Sequence, residues 1–327
     1  MAGRPSLDKE PDVTVTTSVR FCDTTLRDGP KAAGVAFSVD DAVDIALALD
    51  VAGVDQIEVG TQASGAHGAQ TMAAVLQLDL KATVSAWCRC RREDVDAARA
   101  VGAANLHIAV PASDVHIGQL LGLDRKELLY RAVTVVAYAL EHGASVSVGL
   151  EDASRAEDDF LVELGGWLNE LGVRRFRYVD TFGVLEPIGA LARLRRLNRQ
   201  LPAEWEMHAH NDFGLATANT LAALQAGFSW ASTTVSGIGE RAGNASLAEV
   251  ARAARYLGGR TLNLNTAELP ALTALVVRAS GTRVRACAPV VGSRAFAHES
   301  GVQVDGMRTV PRPDVASSRS GCQVPAA

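Results

Sequence analysis

Residues 145–171 read SVSVGLEDASRAEDDFLVELGGWLNEL. Ser145 to Leu150 is a short valine-bearing run of strand length, and from Ala156 to Leu171 apolar residues return at helical spacing. The two together make a βα unit, with Glu151 and Asp152 at the junction. Outward from this stretch the same alternation recurs. Further strands are predicted near Val19 to Thr24, Gln56 to Val59, Ala82 to Trp87, Asn105 to Val110, Arg175 to Val179, Trp205 to His208 and Ala231 to Ser236. Further helices are predicted near Asp40 to Ala52, Gly68 to Leu78, Glu93 to Val101, Asp124 to His142, Pro187 to Leu197, Leu215 to Gly227 and Leu247 to Leu257. Ser38 with Asp41 three residues on is a capping-box pattern, and Pro187 suits a first helical turn.

Eight right-handed units of this length can close into an α/β barrel, the (β/α)8 or TIM barrel, here with a short C-terminal extension. A doubly wound open sheet normally carries a G-x-G-x-x-G turn after its first strand, and none follows strand one. The barrel is expected to span 18–258. Residues 259–310, with a helical stretch near Glu268 to Ala279, read as a lid or dimer arm, and 1–17 and 311–327 as disordered tails.

The composition agrees: of 327 residues, 48% are hydrophobic and only 5% aromatic, which suits the small branched packing of a parallel α/β protein. A net charge of −5 provides no positive field for nucleic acid or an anionic membrane. Met1 to Thr17 lacks the apolar stretch of a secretory signal, and no uncharged apolar run approaches the roughly 20 residues of a membrane span. A cytoplasmic protein is expected. Cys22, Cys88, Cys90, Cys287 and Cys322 are too scattered for a disulfide framework; Cys88 and Cys90 read as packing residues, with no second pair to complete a zinc site.

Barrel active sites are built at the carboxyl ends of the strands. The polar residues expected there are Asp23-Thr24-Thr25-Leu26-Arg27-Asp28-Gly29, Glu58, Glu151-Asp152, Asp180-Thr181, His208-Ala209-His210-Asn211-Asp212 and Gly237-Ile238-Gly239-Glu240-Arg241-Ala242-Gly243-Asn244. His208 and His210, two apart on a strand, point to one face and can present two imidazoles to one ion. On the pair alone, a metal and two hydrogen-bonded core histidines are equally open readings. With a carboxylate such as Asp28, and Asn244 as a fourth donor, positions would remain free for substrate, the catalytic arrangement. Glu58, Asp180 and Asp212 read as supports for Arg27 or the histidines. His67, His107, His116 and His142 read as surface or packing residues.

With those motifs in order, the sequence resembles the metal-dependent barrel family of the homocitrate synthases, isopropylmalate synthases and hydroxymethylglutaryl-CoA lyases over about residues 20 to 307. The Gly-Glu-Arg-Ala-Gly-Asn loop is similar to that of the condensing synthases. Trp87-Cys88-Arg89 and Glu151-Asp152-Ala153-Ser154-Arg155 resemble the nitrogenase-associated homocitrate synthases. The resemblance implies an acyltransferase that condenses acetyl-CoA with a 2-oxo acid in a Claisen-type step. It implies a divalent ion (magnesium, manganese or zinc) on Asp28, His208 and His210 with Asn244 nearby. Arg27 would stabilise the alkoxide or enolate, Glu151 would be the acidic member of the base dyad, and Thr181 would bind the oxo-acid carboxylate. Glu58 would hold Arg27, Glu240 would line the substrate site, and the protein would be a homodimer.

Three departures bear on these expectations. Asp28-Gly29-Pro30-Lys31 stands where the family usually reads Asp-Gly-Glu-Gln, so that Lys31 either pairs with an extra anionic group of the substrate or faces solvent. Gln303 occupies the usual place of a histidine that helps remove the methyl proton, which glutamine cannot do at neutral pH. Glu151 through water, or His298, would then serve, or the chain is a weak homologue that only binds ligand. The sequence stops soon after Gly306, short of a tyrosine-bearing subdomain. A lyase or aldolase that cleaves a carbon–carbon bond is the enzymatic alternative.

Overall fold

The computed structural model describes residues 18–60 and 65–295. Eight parallel strands close a barrel: β1 (Ser18–Asp23), β2 (Gln56–Val59), β3 (Thr83–Arg89), β4 (Asn105–Pro111), β5 (Ser145–Glu151), β6 (Arg175–Asp180), β7 (Glu204–Ala209) and β8 (Trp230–Thr233). Each pairs with the next, and β1 closes the ring by pairing with both β2 and β8. The helices are α1 (Thr25–Asp28), α2 (Val39–Ala52), α3 (Gly65–Leu76), α4 (Arg92–Ala100), α5 (Arg125–Glu141), α6 (Asp158–Glu170), α7 (Pro187–Gln200), α8 (Ala216–Gln225), α9 (Leu247–Tyr256) and α10 (Leu269–Ser280). The expected barrel and all eight of its units are present, with ends displaced by a few residues at most. Among the described residues no helix is long and apolar enough to cross a membrane.

Local chemistry sets the boundaries. Ser38 caps α2 in a reciprocal box with Asp41, Asp124 does the same for α5 with Glu127, and Pro187 opens α7. Cys88 and Cys90 are buried packing residues, as expected. The one-turn helix α1, the 3-10 turn at Gly29–Lys31 and the π-turn at His116–Leu120 have no periodic signature and were not foreseen.

Beyond α9 the chain stays on the barrel through α10. A two-residue strand, β9 (Thr261–Leu262), extends the sheet beside the start of β1, and α10 packs along α2 up to the Val235–Gly237 turn, burying Leu269, Leu272 and Val276. Asn265 N–H donates to Ala52 O at 2.9 Å, fixing the lower end. The segment thus returns the chain from the amino-terminal to the carboxyl-terminal end of the barrel.

The barrel interior departs from the usual layers of Val, Ile and Leu. Alternate positions on the strands point inward, and here they carry Gln56, Glu58, Ser85, His107, Ser147, Arg175, Arg177 and Glu206. Arg177, 1% exposed, donates to Glu58 Oε2 at 2.7 Å and to Glu206 Oε1 at 2.8 Å. Burial alone would lower the pKa of such a guanidinium, but the two carboxylates more than offset this and raise it well above its usual value. Below, Arg175 donates to Gln56 Oε1 at 2.6 Å, and Gln56 in turn donates to Ser85 Oγ at 2.5 Å.

Candidate active site

The segment Asp23-Thr24-Thr25-Leu26-Arg27-Asp28 is built to turn two charged side chains back over the barrel. Asp23 Oδ1 accepts from Thr25 N–H at 2.9 Å, Thr24 O accepts from the amides of Arg27 and Asp28, and Thr25 Oγ1 accepts from Val235 N–H at 2.9 Å. Those bonds coil the chain into α1 as it leaves β1. Arg27 and Asp28 then meet in an ion pair over the mouth, with Arg27 Nε on Glu58 Oε1 at 2.8 Å and Thr24 Oγ1 donating to Asp28 Oδ2 at 2.9 Å. Glu58 therefore braces Arg27 and Arg177 together. Asp28 is fully buried; burial would raise its pKa, but Arg27, His208 and Lys31 more than offset this and hold it ionised well below the usual carboxylate range.

Across the mouth, β7 delivers His208 and the residue after its end, His210, to the same face, with ring centroids 5.1 Å apart. His208 Nδ1 lies 2.8 Å from Ser232 Oγ, leaving Nε2 toward Asp28 Oδ2 at 3.6 Å. Burial pushes both imidazoles below the usual pKa, so both stay neutral with lone pairs available. Asn244 arrives from the loop after β8, bridged to His210 through the backbone, and its amide donates to Ile238 O at 3.0 Å. Asn244 Oδ1 and His210 Nδ1 are both buried without a hydrogen-bond partner. In that loop a Cβ on Gly243 would stand 2.0 Å from Gly237 O, and one on Gly239 would stand 2.1 Å from the Asn244 amide nitrogen. The glycines therefore let the loop fold onto itself and seat Asn244.

Asp28, His208, His210 and Asn244 are the residues that could hold a divalent ion: hard oxygen and borderline nitrogen donors, two of them buried with unmet hydrogen-bonding capacity. Among the described residues no three His, Cys, Asp or Glu side chains stand in coordinating geometry, and Asp28 is engaged by Arg27 and Lys31. Lys31 Nζ is 3.3 Å from Asp28 Oδ1, 3.6 Å from Glu240 Oε1 and 5.7 Å above the Trp87 ring. It lies beside the charged groups of the site while remaining exposed. Glu240 is partly exposed and also pairs with Arg241 at 3.3 Å. Glu151 ends β5 on the interior side; burial raises its pKa against the opposing pull of Arg27 and Lys31. Thr181 Oγ1 accepts from Asp152 N–H at 2.8 Å, tying the end of β6 to that of β5.

The HMGL-like family model matches residues 18–276. A homocitrate synthase of Frankia alni is 49% identical over 294 residues, covering 90% of this chain and 84% of the relative. The chain belongs to the HMGL-like family. A second homocitrate synthase, from Nostoc sp., is 42% identical, covering 88% of this chain and 77% of its own, and 2-isopropylmalate synthase 2 of Caldanaerobacter subterraneus is 40% identical, covering 88% and 75%. This HMGL-like chain therefore stands with the condensing acyltransferases of the homocitrate synthase type. The hydroxymethylglutaryl-CoA lyase of Bacillus subtilis shares the fold, with a TM-score of 0.74 at 18% identity over 83% of this chain and 96% of the lyase.

Within this HMGL-like site several sequence expectations need revision. Asp180 does not orient Arg27 or the histidines: its carboxylate accepts from the amides of Val184 and Leu185 and shapes the turn after β6. Asp212 pairs instead with Arg241 at 2.7 Å, and Arg241 also reaches Thr181 O at 2.6 Å, so the two loops brace each other. His107 is a buried residue of the barrel interior, beneath Glu151, and half-buried His116 meets the Phe182 ring edge-on. Trp87, under Arg27 and Lys31, and Arg177, under Glu58, were missed as site-supporting residues. The sequence signal for Arg177 was its parity on β6; Trp87 had in addition its place in the Trp87-Cys88-Arg89 motif. His298 and Gln303 lie outside the described residues.

Proposed function

We propose that the chain catalyses condensation of acetyl-CoA with a 2-oxo acid, giving a 2-hydroxy acid and CoA, with a divalent ion held by Asp28, His208, His210 and Asn244. The observation that carries the reading is the convergence of one buried, ionised carboxylate and two buried, neutral imidazoles beside Arg27 at the barrel mouth. When bound, the ion supplies Lewis-acid polarisation of the oxo acid's ketone.

The protein's own residues carry the other steps. A thioester methyl is a weak acid, and Glu151, buried among the charges of Arg27, Lys31, Arg177 and Asp28, is the base for it. The methyl carbon, having lost its proton to Glu151, forms the new bond to the ketone carbon, and the ketone oxygen takes the negative charge. Arg27 stabilises that charge; its guanidinium is fixed by Glu58 and so needs no rearrangement as charge develops. Thr181 and Glu240 bind the oxo acid, and Lys31 receives an additional anionic group on it, such as a distal carboxylate or a phosphonate. Water then cleaves the thioester and releases CoA, drawing the condensation forward.

We place the catalytic unit in 18–258 and assign 259–310 as a lid and dimer arm of a cytoplasmic homodimer, with α10 carrying the chain back toward the mouth. His298 stands in this reading as a second candidate base on that arm. Thiol release from acetyl-CoA, measured with 2-oxoglutarate, oxaloacetate, 2-oxoisovalerate and phosphonopyruvate with and without added metal, tests the reading. Metal-dependent CoA release with at least one oxo acid is expected. Splitting of a hydroxy acid without such release would support the lyase alternative, and binding without any turnover the silent homologue.

A further inference from the structure

Buried polar atoms without a hydrogen-bond partner toward the mouth include Asn244 Oδ1 and His210 Nδ1 at the candidate ion site, Asp23 Oδ2 and Thr233 Oγ1 at strand ends, and Trp87 Nε1 and His107 Nε2. The first two are accounted for by the ion. His107 is fully buried on β4, and no role given above uses it.

Its neighbours permit a tautomer that leaves Nε2 a donor. Arg175 Nη2 donates to Ser147 Oγ at 3.4 Å, and Ser147 Oγ lies 2.9 Å from His107 Nδ1. An arginine can only donate, so the serine accepts from it and is free to donate its own hydrogen to Nδ1. Arg175 is itself anchored on Gln56, which fixes the start of the relay. In that tautomer the neutral imidazole carries its hydrogen on Nε2. Burial, with Arg177, Arg175 and Arg27 close by, opposes a second proton, while Glu58 alone pulls the other way.

Nε2 faces upward, one layer along the barrel axis. A Cβ on Gly149 would stand 2.6 Å from His107 Nε2 and 3.3 Å from Glu151 Oε1. The two atoms are therefore separated by no more than the sum of those distances, a gap that a single water bridges. Any residue larger than glycine at position 149 would fill the space between them.

From this geometry we infer that His107 is a positioning residue for Glu151, donating its Nε2 hydrogen toward the Glu151 carboxylate, directly or through one water, and fixing which oxygen is free to take the methyl proton. This rests on Glu151 being the base. It gives the site a histidine partner for that carboxylate from within the barrel. The donated hydrogen also favours the ionised carboxylate against burial, in concert with Arg27, Lys31 and Arg177 and against Asp28.

The test uses the full-length, metal-loaded enzyme with acetyl-CoA and its best oxo acid. His107→Phe removes the donor, His107→Gln retains an amide donor, and Ser147→Ala removes only the hydroxyl that donates to Nδ1 in that tautomer. His107→Phe is expected to lower kcat by about tenfold to a hundredfold, as loss of an orienting hydrogen bond does elsewhere, with both KM values within about twofold of the parent. The acidic limb of its pH profile should move upward, because the carboxylate loses a donor. Recovery of most of kcat in His107→Gln and a smaller change of the same kind in Ser147→Ala complete the expectation. If His107→Phe does not fold, Ser147→Ala and His107→Gln still report the limb. Unchanged kcat and limb in these variants, beside an inactive Glu151→Gln, overturn the role of His107 while leaving the base in place. A raised oxo-acid KM with unchanged kcat overturns it in favour of substrate contact. An active Glu151→Gln overturns the base and this inference together.

Discussion

The barrel interior has two halves that treat polar groups differently. In the lower and middle layers Arg175, Gln56, Ser85, Arg177, Glu58 and Glu206 are joined by hydrogen bonds and ion pairs; among these groups only Glu206 Oε2 makes no hydrogen bond, at 3.7 Å from Arg175 Nε. Toward the mouth, unpartnered atoms lie on Asp23, Thr233, Trp87, His210 and Asn244, and on His107 in the layer beneath Glu151. A buried polar group left unpaired costs about 1–3 kcal/mol, so a saturated network reads as support and an unsaturated one as a place where something binds. The contrast separates what holds the site from what does the chemistry.

Substitutions can break or sharpen this contrast. The largest loss is expected from Asp28→Asn or His208→Ala, which should lower kcat by about a thousandfold or more, since several kcal/mol of charge stabilisation disappear, while unfolding midpoints move little. Glu151→Gln should lower kcat by about a hundredfold to ten-thousandfold in the same assay. Because burial raises the Glu151 pKa, a larger fraction is protonated at any given acidic pH. The parent's activity should therefore fall away as pH drops at a point above the ordinary glutamate range, and that limb should be missing from the variant's residual activity.

Arg177→Met probes the saturated half. It leaves Glu58 and Glu206 buried without their shared cation and is expected to cost about 3–5 kcal/mol in urea unfolding. Stability within about 0.5 kcal/mol of the parent would show that the network does not hold the fold. The smallest effect is reserved for Lys31→Gln. It should raise KM for a dicarboxylic oxo acid about tenfold, a loss of about 1.4 kcal/mol, and leave 2-oxoisovalerate unchanged. An unchanged substrate ranking would make Lys31 only a counter-charge to Asp28 and Glu240.

How far the sequence led follows the same division. Strand and helix alternation is local, so β1 to β8 and their helices could be read from periodicity, and the Asp-Thr-Thr-Leu-Arg-Asp and His-Ala-His-Asn-Asp runs could be placed at strand ends. The interior network could not. Glu58 and Arg177 are 119 positions apart, and the pairing exists only because closure brings β2 and β6 to face each other across one lumen. The place of His107 was hidden for the same reason: a lone histidine on a strand reads as packing, and only closure puts it under Glu151. Asp212 was misread because its partner, Arg241, comes from the loop after β8, and only folding brings those two loops together.

The central claim is that Asp28, His208 and His210 meet around one cation, and titration of the purified apo-protein with manganese(II), followed by electron paramagnetic resonance, tests it most directly. The account predicts one tight site per chain, weakened strongly in Asp28→Asn and in His210→Ala but retained in Glu151→Gln. Binding that is absent in the parent, or equally tight in Asp28→Asn and His210→Ala, would contradict it.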